Sequence, residues 1–332
     1  MNVQQAEAYL LDLELFGMRF GLDRMHKLMT ALGSPQQSFE SVHVVGSNGK
    51  SSTARMIAAI LERHGLRTGT YTSPHLRSFA ERIEVDEKHI ADGEFAAAVA
   101  RVAHAAELVN RRLDQDDRVT QFEALTAAAY SELARREVEV AVIEAGLGGR
   151  YDATNVIPSK VQVLTNVGLE HTRWLGPTIA DIAEEKLAVV PDGGCLVTGE
   201  LHPDAEAVAQ RVVAERGARL VRAPAAAERP QRAPGAFQRR NFALGRTAAE
   251  AFLGALDEEA VTRAAAEVEI QGRLQVVSRE PLVIYDGAHN PAGAEALAEA
   301  LPEVVGRRPL VAVIGVLDDK DAAAMLQAIL PV

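Results

Sequence analysis

Short, almost wholly apolar runs alternate along the chain with longer stretches of helical periodicity, and this alternation limits the fold more than any other feature. The runs Val42–Val45, Arg67–Tyr71, Glu139–Ile143, Val161–Asn166, Cys195–Thr198, Pro281–Tyr285 and Leu310–Ile314 have strand length and are mostly apolar throughout, as parallel strands buried on both faces are. Between them lie the helical stretches Ser51–Arg63, Gln121–Arg135, Ile179–Val189, Asp204–Arg216, Asn241–Leu256 and Ala292–Leu301. The pattern predicts a doubly wound α/β architecture, in which ligands bind beyond the C-terminal ends of the strands. Thr120 and Glu123 form a T-x-x-E capping box that fixes one helix start. The N-terminal "MNVQQAEAYLLDLELF" lacks a basic leader and reads as an amphipathic helix rather than a signal peptide.

A length of 332 residues allows about two domains. Hydrophobic residues make up 48%, enough for a packed core. A formal charge of −11 argues against a nucleic-acid or membrane-surface partner, yet leaves room for an anionic ligand at a helix N-terminus. The single cysteine, Cys195, excludes an intrachain disulfide framework and favours a cytoplasmic setting. No apolar run reaches the length of a membrane span. Composition alone puts a domain boundary in the Ala-, Pro- and Arg-rich stretch Arg222–Gly235.

Five segments carry candidate chemistry. In "VHVVGSNGKSST", Gly46, Gly49 and Lys50 follow a strand and open a helix. Glycines let backbone N–H groups turn toward an anion, Lys50 adds charge for outer phosphates, and Ser51 and Ser52 offer hydroxyls to a phosphate or Mg²⁺. The usual G-x-x-x-x-G-K-[ST] spacing is not met, because Val44 stands where the first glycine belongs. In "AVIEAGLGGRYDATN", Glu144 ends a strand, where a carboxylate could hold a metal beside a triphosphate; alternatively the glycines only turn the chain and Asp152 and Asn155 cap it. His171 follows the next strand beside Glu170, as a metal ligand or a satisfied loop histidine. Lys186, on "IADIAEEKLAVV", reads from the residues as a solvated helix lysine. In "VIYDGAHNPAGAEAL", Asp286, His289 and Asn290 end another strand, as a second ligand-facing surface or as a helix cap before Pro291.

Taken together and in order, "FGMRFGLDRM", "VVGSNGKSST", "YTSPHLRSFAERI", "TQFEALTAAAY", "EAGLGGRYDATN", "TNVGLEHTRWLGPTIADIAEEK", "FQRRN", Gly272-Arg273, "DGAHNP" and "DDKD" resemble the folylpolyglutamate synthase and dihydrofolate synthase family, a branch of the Mur ligase superfamily. The resemblance spans Leu15 to Asp321. Its loop is the shorter G-[ST]-N-G-K, so Val44 is no defect. It implies a P-loop, Mur-ligase-like ATPase domain with a central, mostly parallel sheet over residues 1–270, and a smaller, truncated Rossmann-like α/β domain over 271–332. Arg222–Gly235 then becomes a loop inside the first domain.

The activity implied is ATP-dependent addition of L-glutamate to a folate or to dihydropteroate through an acyl phosphate, in a cytoplasmic monomer that binds neither nucleic acid nor membrane. Gly46, Ser47, Asn48, Gly49, Lys50, Ser51 and Ser52 would hold ATP with Asn241, Arg273 and Asp286. Ser73, Glu144, His171 and a carbamylated Lys186 would hold Mg²⁺, with K⁺ as a further cation, and Lys50, Glu144, His171 and Lys186 would form the catalytic set. Ser73, Pro74, His75 and Asp152 would border the folate, and His289 the glutamate. Three departures stand out: Ser51 where the folate branch has glycine, "GLEH" for G-L-D-H, and a chain that stops eleven residues after Asp321. Two alternatives follow, a Mur-type ligase acting on a cell-wall precursor and a non-ligating nucleotide-binding homologue.

Overall fold

The computed structural model describes residues 1–13, 21–114, 117–226, 230–318 and 320–332. Residues 16–20 of "FGMRFGLDRM", 319 of "DDKD" and 227–229 of the Arg222–Gly235 stretch lie outside them. The ten strands among the described residues are β1 Glu40–Val45, β2 Thr68–Tyr71, β3 Ile83–Val85, β4 Lys88–His89, β5 Val140–Glu144, β6 Val161–Leu164, β7 Cys195–Thr198, β8 Arg219–Arg222, β9 Gln275–Arg279 and β10 Leu282–Tyr285.

Eight strands form one sheet in the order β4-β3-β2-β5-β1-β6-β7-β8. From β2 to β8 all neighbours are parallel, and β3 and β4 add an antiparallel edge. Strands β2, β5, β6 and β7 are buried along their whole length, and β1 from Ser41 onward, which is why Val, Leu and Ile dominate β1, β5, β6 and β7, while β2 is Thr-Gly-Thr-Tyr. Edge strand β8 instead ends in two exposed arginines.

Alternate residues serve opposite faces. Val42, Val44, Val140, Val142, Val161 and Val163 pack under the helices Lys50–Arg63, Ala236–Leu253 and Glu258–Glu267. On the other face Ala141 and Ile143 meet the helices Gln121–Arg135, Asp92–Asn110 and the N-terminal pair Val3–Asp12 and Asp23–Ala31, while Val45 and Leu164 meet Ile179–Leu187 and Pro203–Arg216. Thr120 and Glu123 make the reciprocal capping bonds, Glu123 N–H to Thr120 Oγ1 at 3.3 Å and Thr120 N–H to Glu123 Oε2 at 2.9 Å.

Two readings are corrected. Arg222–Gly235 is not a boundary, since the helix that follows it shares a core with Lys50–Arg63 and the central strands. The expected strand Leu310–Ile314 does not form: Val311 and Val313 are 95% and 99% exposed. An apolar run becomes a strand only beside another that takes up its backbone N–H and C=O groups, and no ladder partner lies alongside it among the described residues. The second unit is small, with the antiparallel pair β9–β10 and the helices Pro291–Val305 and Ala322–Ile329 around Leu274, Ala300, Leu301 and Val305.

Candidate active site

The ends of β5, β1 and β6, adjacent at the centre of the sheet, open onto one cavity of about 760 Å³. After β1 the chain passes through Gly46 at φ +149° and Gly49 at φ +81° before entering the helix Lys50–Arg63. Neither glycine can be replaced freely. A Cβ on Gly46 would lie 1.9 Å from Thr165 Oγ1, and one on Gly49 would lie 2.5 Å from Asn241 Oδ1.

The residues after β6 hold this loop open. Thr165 Oγ1 donates to Asn48 C=O at 2.7 Å, Asn166 Oδ1 accepts from Asn48 N–H at 3.0 Å, and Gly168 N–H donates to Ser47 Oγ at 2.9 Å. Lys50 Nζ folds over the loop, donating to the Gly46 and Ser47 carbonyls at 2.9 and 3.2 Å. Loop N–H groups, a helix N-terminus and an ammonium together make an anion site.

Glu144 closes the opposite wall and is 2% exposed. Ser73 N–H donates to its Oε2 at 2.9 Å and Ser51 Oγ to its Oε1 at 3.0 Å. Burial raises its pKa, against the opposing pull of Lys50, these two hydrogen bonds and Arg273. A buried carboxylate beside two serines is a set of hard oxygen donors suited to a small divalent cation. Among the described residues no cluster of three or more His, Cys, Asp or Glu side chains forms a metal site.

Lys186 lies beneath the loop at 1% exposure, donating to Gly46 C=O at 2.9 Å and to Glu170 Oε1 at 3.1 Å. Burial, and then the charge of Lys50, lower its pKa to about 8, against the opposing pull of Glu170. Burial pushes the Glu170 carboxyl up, but Lys186 and Lys50 outweigh it and hold the carboxyl below its ordinary value. His171 lines the cavity next to Glu170 at φ +49°, and partial burial lowers its pKa.

The second unit supplies the facing wall. Asp286 accepts from Leu274 N–H and Ala288 N–H, both at 2.7 Å, and lines the cavity with Arg273 and His289. Asn290 caps its helix through Gly293 N–H at 2.8 Å and also donates to Asn48 Oδ1 at 2.9 Å, joining this unit to the loop. Asn241 lines the cavity and donates to Gln238 Oε1 at 3.0 Å.

Ser47, Asn48, Gly49, Lys50, Ser51, Ser52, Ser73, Pro74, Glu144, His171, Asn241, Arg273, Asp286 and His289 therefore share one lining, and Gly46 and Lys186 lie directly behind it. His75 and Asp152 do not reach it. His75 accepts from Arg82 Nε at 3.0 Å and packs on Phe79, and Asp152 points into the protein. Sequence reasoning singled out neither Thr165, Asn166 and Gly168 nor the second role of Asn290. The signal for the first three was their place just past the end of a buried strand, the same signal that marked Glu144.

Residues 44–198 match the Mur ligase middle domain and residues 272–332 the Mur ligase glutamate ligase domain. The chain is 37% identical to a dihydrofolate synthase/folylpolyglutamate synthase of Mycobacterium tuberculosis, with 94% of this chain and 72% of that protein covered. It is 36% identical to a folylpolyglutamate synthase of Lacticaseibacillus casei, with 98% and 82% covered. A solved FPGS–AMPPCP–folate complex superimposes with a TM-score of 0.92 at 36% identity, over 100% of this chain and 87% of that one.

Proposed function

The chain belongs to the folylpolyglutamate synthase and dihydrofolate synthase family of Mur ligases, and from that premise we propose how its cavity builds an amide between L-glutamate and the carboxyl group of a folate or dihydropteroate. It is an ATP-dependent ligase. A carboxylate is a poor electrophile, so ATP first phosphorylates it, the glutamate amine attacks the resulting acyl phosphate, and phosphate leaves from the tetrahedral intermediate. Positioning and charge stabilisation carry most of such a reaction.

The observation that carries this reading is the pairing, across one cavity, of the Gly46–Lys50 loop with buried Glu144, faced by Arg273 and Asp286 from the other unit. Lys50 and the loop N–H groups bind the ATP phosphates. Ser51, Ser73, Glu144 and His171 would hold magnesium, which when bound offsets charge on the transferring phosphoryl group. Asn241, Arg273 and Asp286 contact the nucleotide, and His289 orients glutamate. Ser73 and Pro74 border the acceptor, with His75 behind them against Arg82 and Phe79, while Asp152 serves it from behind through the loop it holds.

Lys186 is carbamylated in this account. Its neutral amine would add to CO₂ and lose a proton, and the resulting anion would need the bound cation to offset its charge near Glu170; a lysine with its pKa lowered to about 8 keeps a usable neutral fraction near neutral pH. The division between ATPase and glutamate-ligase domains falls near residue 270, and closure between them excludes water from the acyl phosphate. The protein acts as a cytoplasmic monomer on small molecules; among the described residues no helix is long and apolar enough to cross a membrane.

Ser51 favours a second reading, a cell-wall precursor as acceptor, because two hydroxyl residues after the lysine mark the peptidoglycan ligases. Isotope transfer tests the chemistry. An acceptor labelled with ¹⁸O in its carboxylate yields phosphate carrying one ¹⁸O if an acyl phosphate forms. Unlabelled phosphate alongside labelled amide product would exclude that route.

A further inference from the structure

His43 stands in the middle of β1, three residues before Gly46, with no exposed surface. A histidine among Val42, Val44 and Val45, in a strand buried on both faces, calls for a reason that apolar packing does not give. Its Nε2 lies 2.8 Å from Thr154 Oγ1, and the Thr154 hydroxyl lies 2.5 Å from Asp152 Oδ1. Thr154 N–H donates to the same oxygen at 3.0 Å. The other oxygen, Oδ2, accepts from Leu147 N–H at 2.8 Å, and the Gly146 backbone also bonds to this carboxyl. Gly146 and Leu147 come two and three residues after Glu144, and Gly146 lines the cavity.

Burial raises the Asp152 pKa, against the opposing pull of its hydrogen bonds from Thr154, Leu147 and Gly146. With the carboxyl ionised it only accepts, so Thr154 gives its single hydroxyl proton to Asp152 and accepts from His43. Burial lowers the His43 pKa to about 3 and keeps the ring neutral, so its proton sits on Nε2 and Nδ1 is left with no hydrogen-bond partner. A buried acceptor without a donor is destabilising, a cost that a leucine or valine would avoid. The bond through Nε2 is the compensating feature. The β1–β5 ladder ends at Ala145 N–H to Val44 C=O, 2.9 Å. Beyond that point the Asp152 carboxyl carries the backbone, and His43 ties it to the strand whose end forms the phosphate loop.

We infer that His43 and Thr154 are positioning residues of the ligase site, holding Asp152 and, through it, the Gly146–Leu147 backbone in register with the loop that begins at Gly46. This rests on the reading of the cavity as the site of ligation. Both walls of the cavity are thereby referred to one strand, and a loosened Asp152 lets the glycine-rich wall drift while the phosphate loop stays formed.

The test uses the full chain and four single variants, assayed with Mg-ATP, L-glutamate and either dihydropteroate or tetrahydrofolate. His43→Leu and Thr154→Val should lower kcat about tenfold or more with KM for ATP nearly unchanged. His43→Gln, which can present an amide N–H, and Thr154→Ser should recover most of that loss. The double variant His43→Leu/Thr154→Val should be no slower than Thr154→Val alone, because both cut the same chain. Wild-type kcat in His43→Leu, or losses that follow melting temperature regardless of whether a donor is kept, would overturn the inference. If His43→Leu does not fold, the Thr154→Val and Thr154→Ser pair decides in the same way. A wild-type protein that forms no product counts against the ligase reading instead. In that event the imidazole ¹⁵N spectrum decides: a protonated Nε2 whose signal moves in Thr154→Val supports the chain, and a protonated Nδ1 contradicts it.

Discussion

Ser51 Oγ donates to Glu144 Oε1 across 3.0 Å, so the residue after the loop lysine holds the carboxylate that closes the opposite wall. The folate-branch pattern has glycine at this position. Ser51→Gly removes this bond but leaves Ser73 N–H on Oε2 at 2.9 Å. The variant should therefore still glutamylate a folate-type acceptor, within about a hundredfold of the wild-type rate, since one neutral hydrogen bond to a charged group is worth about 1.5–3 kcal/mol at most. Steady-state rates with each acceptor check this; loss of all turnover would make the serine indispensable.

Glu144 itself is held for function at a cost to the fold. Its folded pKa is raised by burial, so any stability it contributes is present below the unfolded carboxylate pKa and lost as pH rises through the folded value. At neutral pH the ionised form is therefore a burden on the protein without ligands. Glu144→Gln should melt no lower than wild type at pH 7, yet lose about 10³-fold or more in kcat. Lys50→Ala should lose activity to a similar degree. Thermal melts and steady-state kinetics on the same samples separate the two effects.

Glycines 46 and 49 are irreplaceable for different contacts. Gly46→Ala drives a Cβ into Thr165 and Gly49→Ala drives one into Asn241, each at positive φ. Each should raise the KM for ATP at least tenfold by shifting the loop N–H groups off the phosphates. Equilibrium binding of an ATP analogue measures this directly, and unchanged affinity in either variant would contradict the assignment of the loop.

His43 makes the protein acid-sensitive. Its pKa falls from 6.5 to about 3 by burial, so the unfolded chain binds a proton there that the folded one does not. The stability it supports is whole above pH 6.5 and is lost as pH falls toward 3, with about 2 kcal/mol gone by pH 5. Urea unfolding between pH 7 and 4 should show this slope in wild type and its absence in His43→Gln.

Lys186 should show a CO₂ requirement that follows its neutral fraction, which rises through about pH 8. At a fixed concentration of dissolved CO₂, depleted enzyme should regain activity faster at pH 8.5 than at pH 6.5, with a carbamate signal in ¹³C spectra. Lys186→Met should neither respond nor show the signal.

How far the sequence could be read depended on range. Strands β1, β5, β6 and β7 announce themselves because burial on both faces leaves them mostly apolar, and β2, Thr-Gly-Thr-Tyr, carries β-branched and aromatic residues. Strands β3, β4, β8 and β9 did not: β3 has three residues, with Glu84 buried beside Arg55 and His89, and the others are short or edge elements whose partial exposure admits Lys88, Arg219 and Gln275. Leu310–Ile314 misled for the converse reason, since strand composition cannot reveal whether a neighbour is there to pair with. The loop Gly46–Lys50 was legible because its chemistry is contiguous. The placement of Lys186 was not, because its environment comes from Gly46, 140 residues earlier, and only family resemblance raised it above a surface lysine.

The most direct test of the ligase assignment is the mass of the product formed from Mg-ATP, L-glutamate and, in separate reactions, dihydropteroate or tetrahydrofolate. One glutamate residue added to either acceptor, with stoichiometric release of ADP and phosphate, is the result this account predicts. ATP bound but no glutamylated product from either acceptor would contradict it, and product formed only from a cell-wall precursor would move the chain to the other branch of the superfamily.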